Sequence, residues 1–554
     1  MIDNPPTSPH GSACAERRSA ASNAMMGALA CVLIAIVIGV PWVYPDFFFL
    51  GAFGWVALVV FASRARRWVA TFASLMIGMI SLGIAFYWAP KSIYDTTHLS
   101  ATTSFLVFLA LLAWESIAFA LLGFTASLLS RPCDSRGCVP GQSIVPDQSC
   151  TSSRSTWLWL LVPVWVVIEF FHPQIFGWSI AHTALSFRPI IQVAELAGTS
   201  GIAFLVMLGV VSIAQLWMHH HTRRDWIEFL IATTMIAIAC LWGHWSVTDW
   251  QQRSGSADSM RIAAVQVDPS KMGSVEEMQS RSTSAAGPID LYIWPESSLG
   301  HYHISLEDFR DEFKTVVKSE APNPALDPYP GVPTELLAGG KTYDEGGRDV
   351  GPYRNTAFLI DSSKSIRSRY VKRSLLPIGE YVPGEKWFPF LRDWAALDST
   401  LLRGSNDAPL TLRGDQKVGV LVCYEDMVAE NSAATTRAGA ECLVALINGS
   451  RFTDTTTLKQ HMWLAQLRAV ENRRALVRCA ATGISCIIQP DGSITERLPP
   501  QTNGVIVASI PLVHEITVYT QYGEWFAHLM TIIVLVGLIS FRRRRSGASA
   551  APPQ

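Results

Sequence analysis

Charge is scarce in this chain. Only 16% of its 554 residues are Asp, Glu, Lys or Arg, while 49% are hydrophobic and the mean hydropathy is +0.24. A soluble globular protein carries about 25% charged residues. The shortage is local. Residues 25–248 and 525–541 are apolar with sparse charge, whereas 249–524 reads as an ordinary globular stretch. Net charge is -1, so there is no basic excess with which to bind nucleic acid. The ten cysteines include no C-x-x-C pair, which excludes zinc-ribbon and thioredoxin-like sites. Cys133 and Cys138 lie in a polar stretch without neighbouring His, so no metal site is expected. No small-x-small cleavage pattern follows the first apolar run, so that run does not read as a removed signal peptide. Internal repeats of a solenoid or inverted kind are also missing.

What is present is a series of runs long enough to cross a bilayer, for which roughly 20 apolar residues are needed. Spans are predicted at 25–43, 47–63, 68–89, 103–130, 157–171, 190–217, 227–247 and 525–541. The fifth is short, and its boundary with Phe171–His182 reads equally as a re-entrant piece. Short-loop Lys and Arg set orientation. Arg17 and Arg18, Arg64 to Arg67, Arg131 to Arg154, Arg223 and Arg224, and Arg542 to Arg545 all fall on one side if there are eight spans. Both termini are then cytoplasmic and 249–524 faces the opposite side. Residues 1–24, the stretch 132–156 and the tail after Arg545 are expected to lack order, and 542–554 reads as a basic cytoplasmic tail. Glu115 and Glu169 fall inside spans, which makes each a functional candidate unless it serves as a helix-end or interhelical hydrogen-bond partner.

Between 249 and 524, short β-rich runs alternate with helical ones, which predicts an α/β layered domain. Strands are predicted at Arg261–Val267, Asp290–Trp294, Leu336–Gly340, Asn355–Asp361, Val418–Cys423, Cys442–Asn448, Leu476–Ala480, Ser485–Gln489 and Gly504–Ile510, and helices at Ala429–Ala438 and Leu458–Arg474. Three segments carry chemistry. Asp290-Leu-Tyr-Ile-Trp-Pro-Glu296 is a strand ending on a carboxylate. Tyr370-Val-Lys372 continues through Leu376-Pro-Ile-Gly-Glu380. Lys417-Val-Gly-Val-Leu-Val-Cys423 ends on a thiol and leads into Tyr424-Glu425. Singly these read as a solvated strand end, a surface cation and a core thiol. Together they are a base, a cation and a nucleophile at strand ends, where α/β folds gather active groups. A helix following Cys423 would favour its thiolate. Cys442, Cys479 and Cys486 read as buried small hydrophobes.

At these segments the chain resembles the nitrilase, or carbon-nitrogen hydrolase, superfamily, with its Glu-Lys-Cys triad in an αββα sandwich. More narrowly it is similar to the apolipoprotein N-acyltransferases, the membrane-integral branch. The matching residues are Trp294-Pro-Glu296, Tyr370-Val-Lys372-Arg373, Leu376 to Tyr381-Val-Pro383, Cys423-Tyr424-Glu425, Gln460-His461, Arg468 to Glu471 and Gly198-Thr-Ser-Gly201. The resemblance runs from about 25 to 545. It departs at Asn448-Gly449-Ser450-Arg451-Phe452, where the family commonly has Asn-Asp before the aromatic.

The resemblance implies a polytopic helical membrane domain (25–248 and 525–541) in the bacterial inner membrane and a periplasmic catalytic domain (249–524). It implies Glu296, Lys372 and Cys423 as the catalytic triad, with Glu380, Tyr424 and Glu425 in support. The implied reaction moves an acyl chain from a phospholipid donor to the N-terminal amine of a diacylated apolipoprotein, through a cysteine thioester, without cofactor or metal and in a monomer. Trp387 and Phe388 lie in an aromatic segment suited to a lid at the lipid interface. Two other readings stand beside this one. The first is a membrane-anchored amidase using the same triad on a small amide, although seven spans exceed what an anchor needs. The second is a transporter resting on Glu115 and Glu169.

Overall fold

A computed structural model describes residues 9–97, 99–130, 156–218, 222–299 (except 269, 272 and 273), 304–305, 334–343 and 353–549 (except 363–365, 378, 383, 389, 391–400, 451 and 453). The expected loop at 132–156 therefore lies almost wholly outside the described residues, as do Cys133 and Cys138. Among the described residues, seven helices are long and apolar enough to cross a membrane: Met25–Val43, Pro45–Arg64, Arg67–Ala85, Ala101–Leu129, Ala194–Met218, Arg223–Ser256 and Trp525–Arg543. The predicted fifth span is the shorter apolar piece Trp157–Phe171. Three details differ from the sequence reading. The first helix starts at Pro9, ahead of the boundary expected at residue 25. The fourth span breaks at Ser116 into Ala101–Glu115 and Ile117–Leu129. The sixth kinks at Gly198, whose φ of 62° sits where an added Cβ would meet the Tyr519 ring at 2.4 Å. Side chains such as Phe53, Phe72, Leu230, Ile238, Leu241 and Val536 point outward from these helices, as lipid-facing residues must.

Glu115 and Glu169 give no support to a transport path. Glu115 accepts hydrogen bonds from the Ile175 N–H (2.6 Å) and Trp178 Nε1 (2.8 Å). Glu169 accepts from Ser179 Oγ and the Ile180 N–H, both at 2.8 Å. The two carboxylates satisfy the backbone of the irregular segment 172–180, which has no helix of its own to do so.

The other domain is two sheets between helices. Strands β1 (Ser259–Gln266), β2 (Leu291–Ile293), β3 (Ile304–Ser305), β4 (Glu335–Tyr343), β5 (Tyr353–Ile360) and β6 (Ile366–Val371) form one sheet with β13 (Gly504–Pro511), in the order β13-β1-β2-β4-β5-β6 with β3 on β4. Strands β7 (Leu410–Thr411), β8 (Lys417–Val422), β9 (Cys442–Ile447), β10 (Leu476–Ala480), β11 (Cys486–Ile488) and β12 (Ile494–Arg497) form the other, in the order β12-β11-β10-β9-β8-β7. Alternation along the strands sorts the core. Val418, Val420 and Val422 meet Ile262, Leu291 and Leu337 between the sheets. Leu421, Leu443 and Ala445 turn outward against Leu458, Met462 and Ala465 of the helix Thr455–Asn472. Trp294, Phe358 and Met278 fill the layer between the first sheet and the helix Ser274–Thr283. This is the αββα sandwich expected. Cys442, Cys479 and Cys486 are all fully buried in it.

Topology brings the three candidate segments to one rim. β2 runs parallel to β4, and β4 and β6 each lie antiparallel to β5, so β6 points the same way as β2. Their C-terminal ends, followed by Glu296 and Lys372, therefore share an edge. Cys423 follows the C-terminal end of β8.

Polar anchors join the sandwich to the membrane helices. Gln460 donates to Trp42 O (3.1 Å) and Ala85 O (2.8 Å) and accepts from Trp88 Nε1 (2.8 Å). Arg473, with no exposed side-chain area, pairs with Glu195 and donates to Gln192 Oε1 (2.7 Å), Pro490 O (2.9 Å) and Ser246 Oγ (2.9 Å). Removing one member of a buried, fully bonded ion pair costs about 3–5 kcal/mol. Arg473→Met is accordingly expected to lower stability by that order, read as a lower melting temperature in detergent; an unchanged melting temperature would show that this joint bears no load.

Candidate active site

Cys423 occupies the sharp turn between β8 and the short 3-10 turn Cys423–Met427, with φ at 54°. A non-glycine residue in the left-handed region is held there by its surroundings. The holder is Glu425. Its buried carboxylate accepts from the Val422 N–H (2.8 Å), the Arg373 N–H (2.6 Å), the Ser374 N–H (2.9 Å) and the Tyr370 hydroxyl (2.9 Å). One side chain thus ties the cysteine turn to the segment carrying Lys372. Behind it, buried Asp426 accepts from His461 Nε2 (2.6 Å) and Arg478 Nε (2.9 Å).

Glu296 is 6% exposed and doubly held. Asn355 Nδ2 donates to Oε1 at 2.6 Å, and the Asn448 N–H donates to Oε2 at 2.8 Å. Gly339 makes room for it, since a Cβ there would lie 2.6 Å from Glu296 Cα. Burial raises the Glu296 carboxyl above its ordinary range, against the Lys372 charge and Asn355, which pull it down; the Cys423 thiol is a further hydrogen-bond partner. Lys372 is wholly buried, and its Nζ donates to Glu380 Oε1 at 2.6 Å. Burial alone would lower its basicity, but the Cys423 sulfur, Glu380 and Glu296 outweigh that and hold it protonated. Glu380 uses its other oxygen to accept from the Leu376 N–H at 2.7 Å.

The structure thus brings Glu296, Lys372, Glu380 and Cys423 into one electrostatic unit, with Tyr424 beside it and Glu425 beneath. The α-helix after the cysteine begins at Ala429, where the sequence places it, so Cys423 itself stands on a short 3-10 turn and not at the helix start. The intervening turn is too short to supply a useful dipole. Burial pushes the Cys423 thiol well up, the Glu296 charge adds to this, and Lys372 opposes both. The resting group is a thiol that needs a base, not a standing thiolate.

Cys423 opens into an apolar cavity of about 190 Å³. Phe86, Trp88, Ile93 and Phe176 from the membrane half form one side of it, and Leu376, Tyr424, Phe452 and Leu464 from the sandwich form the other. Trp387, Phe388 and Phe390 stand exposed nearby in sequence, at 81%, 55% and 64%. Sequence reading missed Asn355, which no motif marks, and the aromatic wall from the membrane helices, which needs the two halves docked. The departure at Gly449 has a steric reason. A Cβ there would lie 3.1 Å from the Gly483 nitrogen and from Leu458, leaving little room for an Asp.

Among the described residues no group of His, Cys, Asp and Glu is arranged to hold a metal ion. Residues 34–213 match the apolipoprotein N-acyltransferase N-terminal domain, and 261–517 match the carbon-nitrogen hydrolase domain. An apolipoprotein N-acyltransferase of Geobacter metallireducens is 30% identical over 69% of this chain and 74% of its own length. That of Ralstonia nicotianae is 25% identical over 90% and 89%. An amidase from Nesterenkonia sp. superposes with a TM-score of 0.34 at 21% identity, covering 49% of this chain and 95% of the amidase. The matches extend through both the helical half and the sandwich, and the chain belongs to the apolipoprotein N-acyltransferase family of bacterial membrane proteins.

Proposed function

We propose that Cys423 carries an acyl group from a phospholipid to the N-terminal α-amine of a diacylated apolipoprotein. The observation that supports this best is a thiol, a carboxylate and a buried ammonium meeting at one end of an apolar cavity, half of whose wall comes from membrane helices. Glu296 removes the proton from the Cys423 sulfur, which attacks the ester carbonyl carbon. The carbon–oxygen ester bond breaks, and the lysophospholipid oxygen takes the proton from Glu296. In the second half, the acceptor amine attacks the thioester, a carbon–nitrogen bond forms and the carbon–sulfur bond breaks. Glu296 relays the amine proton to sulfur. The Lys372 ammonium and the Tyr424 backbone N–H stabilise both tetrahedral oxyanions. Glu380 holds Lys372 in position. Trp387 and Phe388 act as an interfacial lid over the acyl chain. The protein works as a monomer in the inner membrane, with the sandwich in the periplasm.

Intact-mass measurement after incubation with phospholipid alone is expected to show one acyl adduct on Cys423, absent in Cys423→Ala. Glu296→Gln is expected to slow adduct formation by about 10²–10⁴-fold. Glu296 must be ionised to act, and burial raises its carboxyl, so the adduct rate falls with falling pH along a limb centred above the ordinary 4.5. The same shift favours the neutral carboxyl in the fold, so stability from this group is present at low pH and lost as pH rises through the raised value. Hydrolysis of phospholipid or a small amide without N-acylation of a diacylated lipopeptide would point instead to an amidase. For the lid, Trp387→Ala with Phe388→Ala should slow acylation from vesicles while leaving a soluble short-chain ester unaffected; equal rates on vesicles would remove the lid.

A further inference from the structure

The rim that holds Glu296 and Cys423 also holds a second cavity, of about 400 Å³, and its lining is polar. Among the described residues, Lys271, Ser450, Thr482, Gln501 and Asn503 contribute hydroxyls, amides and one cation, with Asp268 beside them. Phe452 belongs to the walls of both chambers. Its ring stands edge-on to Trp88 with centroids 6.3 Å apart on the apolar side. The loop that carries it starts at Asn448, whose N–H holds Glu296, and is pinned by the Ser450 N–H to Asn448 Oδ1 (3.0 Å) and the Phe452 N–H to Gly449 O (2.9 Å). One residue thus lines both an apolar chamber containing Cys423 and a polar one. In the polar chamber the Thr482 Oγ1 is buried without a hydrogen-bond partner among the described residues, while the Thr482 carbonyl is taken by the Gln501 N–H at 2.9 Å. A buried hydroxyl with no partner is costly unless a ligand satisfies it.

We propose that this polar chamber binds the polypeptide of the acceptor, meaning the residues that follow its acylated N-terminal cysteine, while the lipid chains occupy the apolar side. This rests on the acyl-transfer reading above. An acceptor whose amine reaches Cys423 has lipid on one side of that amine and a peptide chain on the other. The two chambers on either side of Phe452 match that division. The lining favours a peptide over a phospholipid head group. Neutral amides and hydroxyls pair with peptide N–H and C=O groups, whereas among the described residues a phosphodiester would meet Lys271 and the Asp268 carboxylate together.

The test uses the full chain in detergent with phospholipid. It compares two acceptors, diacylglyceryl-cysteine bearing a short peptide and the same lipid amino acid as a simple amide. Thr482→Val and Asn503→Trp alter the chamber outside the loop that holds Glu296. Thr482→Val is expected to raise KM for the peptide-bearing acceptor roughly five-fold, about one hydrogen bond's worth, and Asn503→Trp to raise it further by filling the space. Neither should change the rate of Cys423 acylation, which also reports that the variants are folded, nor KM for the simple amide. Equal KM changes for both acceptors, or none, would overturn the proposal. Slower Cys423 acylation in the variants would overturn it too and assign the chamber to the donor head group. Failure of the unaltered protein to acylate Cys423 at all would be a different result, removing the acyl-transfer reading itself.

Discussion

The buried ammonium of Lys372 is the constraint around which the rest is arranged. A cation with no exposed surface survives only if anions and hydrogen bonds replace water. Here Glu380 supplies the direct contact at 2.6 Å, and Glu296 adds to the field, as does the Cys423 sulfur once it is ionised. The dependence runs both ways. Glu296, itself buried, is kept from a still higher protonation range by Lys372. Cys423 is pushed up by burial and by Glu296, and only Lys372 among its larger influences opposes them. In the proposed mechanism, proton transfer from sulfur to Glu296 moves the negative charge within a site that already holds one positive charge, so the step needs little reorganisation. Glu425 makes this geometry durable by bonding both the turn at Cys423 and the backbone just after Lys372.

The membrane half completes the site as well as anchoring it. Gln460 and His461 are neighbours on one helix with different tasks. Gln460 bonds the ends of two membrane helices through Trp42 O and Ala85 O, and His461 bonds Asp426 behind the nucleophile. Docking the sandwich through Gln460 and Arg473 sets Phe86, Trp88 and Phe176 across from Cys423, and an apolar chamber results that neither half would enclose alone.

Much of this was legible in the sequence where one physical signal dominates. Long apolar runs gave the spans, because lipid tolerates little else. The strands β8, β9 and β10 were legible because parallel strands covered on both faces read as unbroken apolar runs. The gathering of Glu296, Lys372 and Cys423 followed from order and flanking residues. β6 was not legible, although it delivers Lys372. Its Ile366-Arg-Ser-Arg-Tyr-Val371 pattern mixes charge with apolar residues because one face is exposed near the sheet edge. The break at Ser116 escaped notice because both flanking helices are uniformly apolar. The state of the Cys423 thiol was not legible, because it depends on burial and on the charges of Glu296 and Lys372, which only the fold brings to it. Whether a carboxylate inside a span is functional or structural depends on its partners, and those of Glu115 and Glu169 lie in a segment with no regular pattern.

The central claim is that Glu296 and Lys372 act as one unit on the Cys423 sulfur. A double-mutant cycle tests it most directly, with single-turnover acylation of Cys423 measured in the unaltered protein, Glu296→Gln, Lys372→Met and the double variant. The double variant is expected to be about as slow as the slower single one, because either loss already disables the shared proton transfer. Losses that multiply across the two sites would contradict the claim and show that the carboxylate and the ammonium act independently.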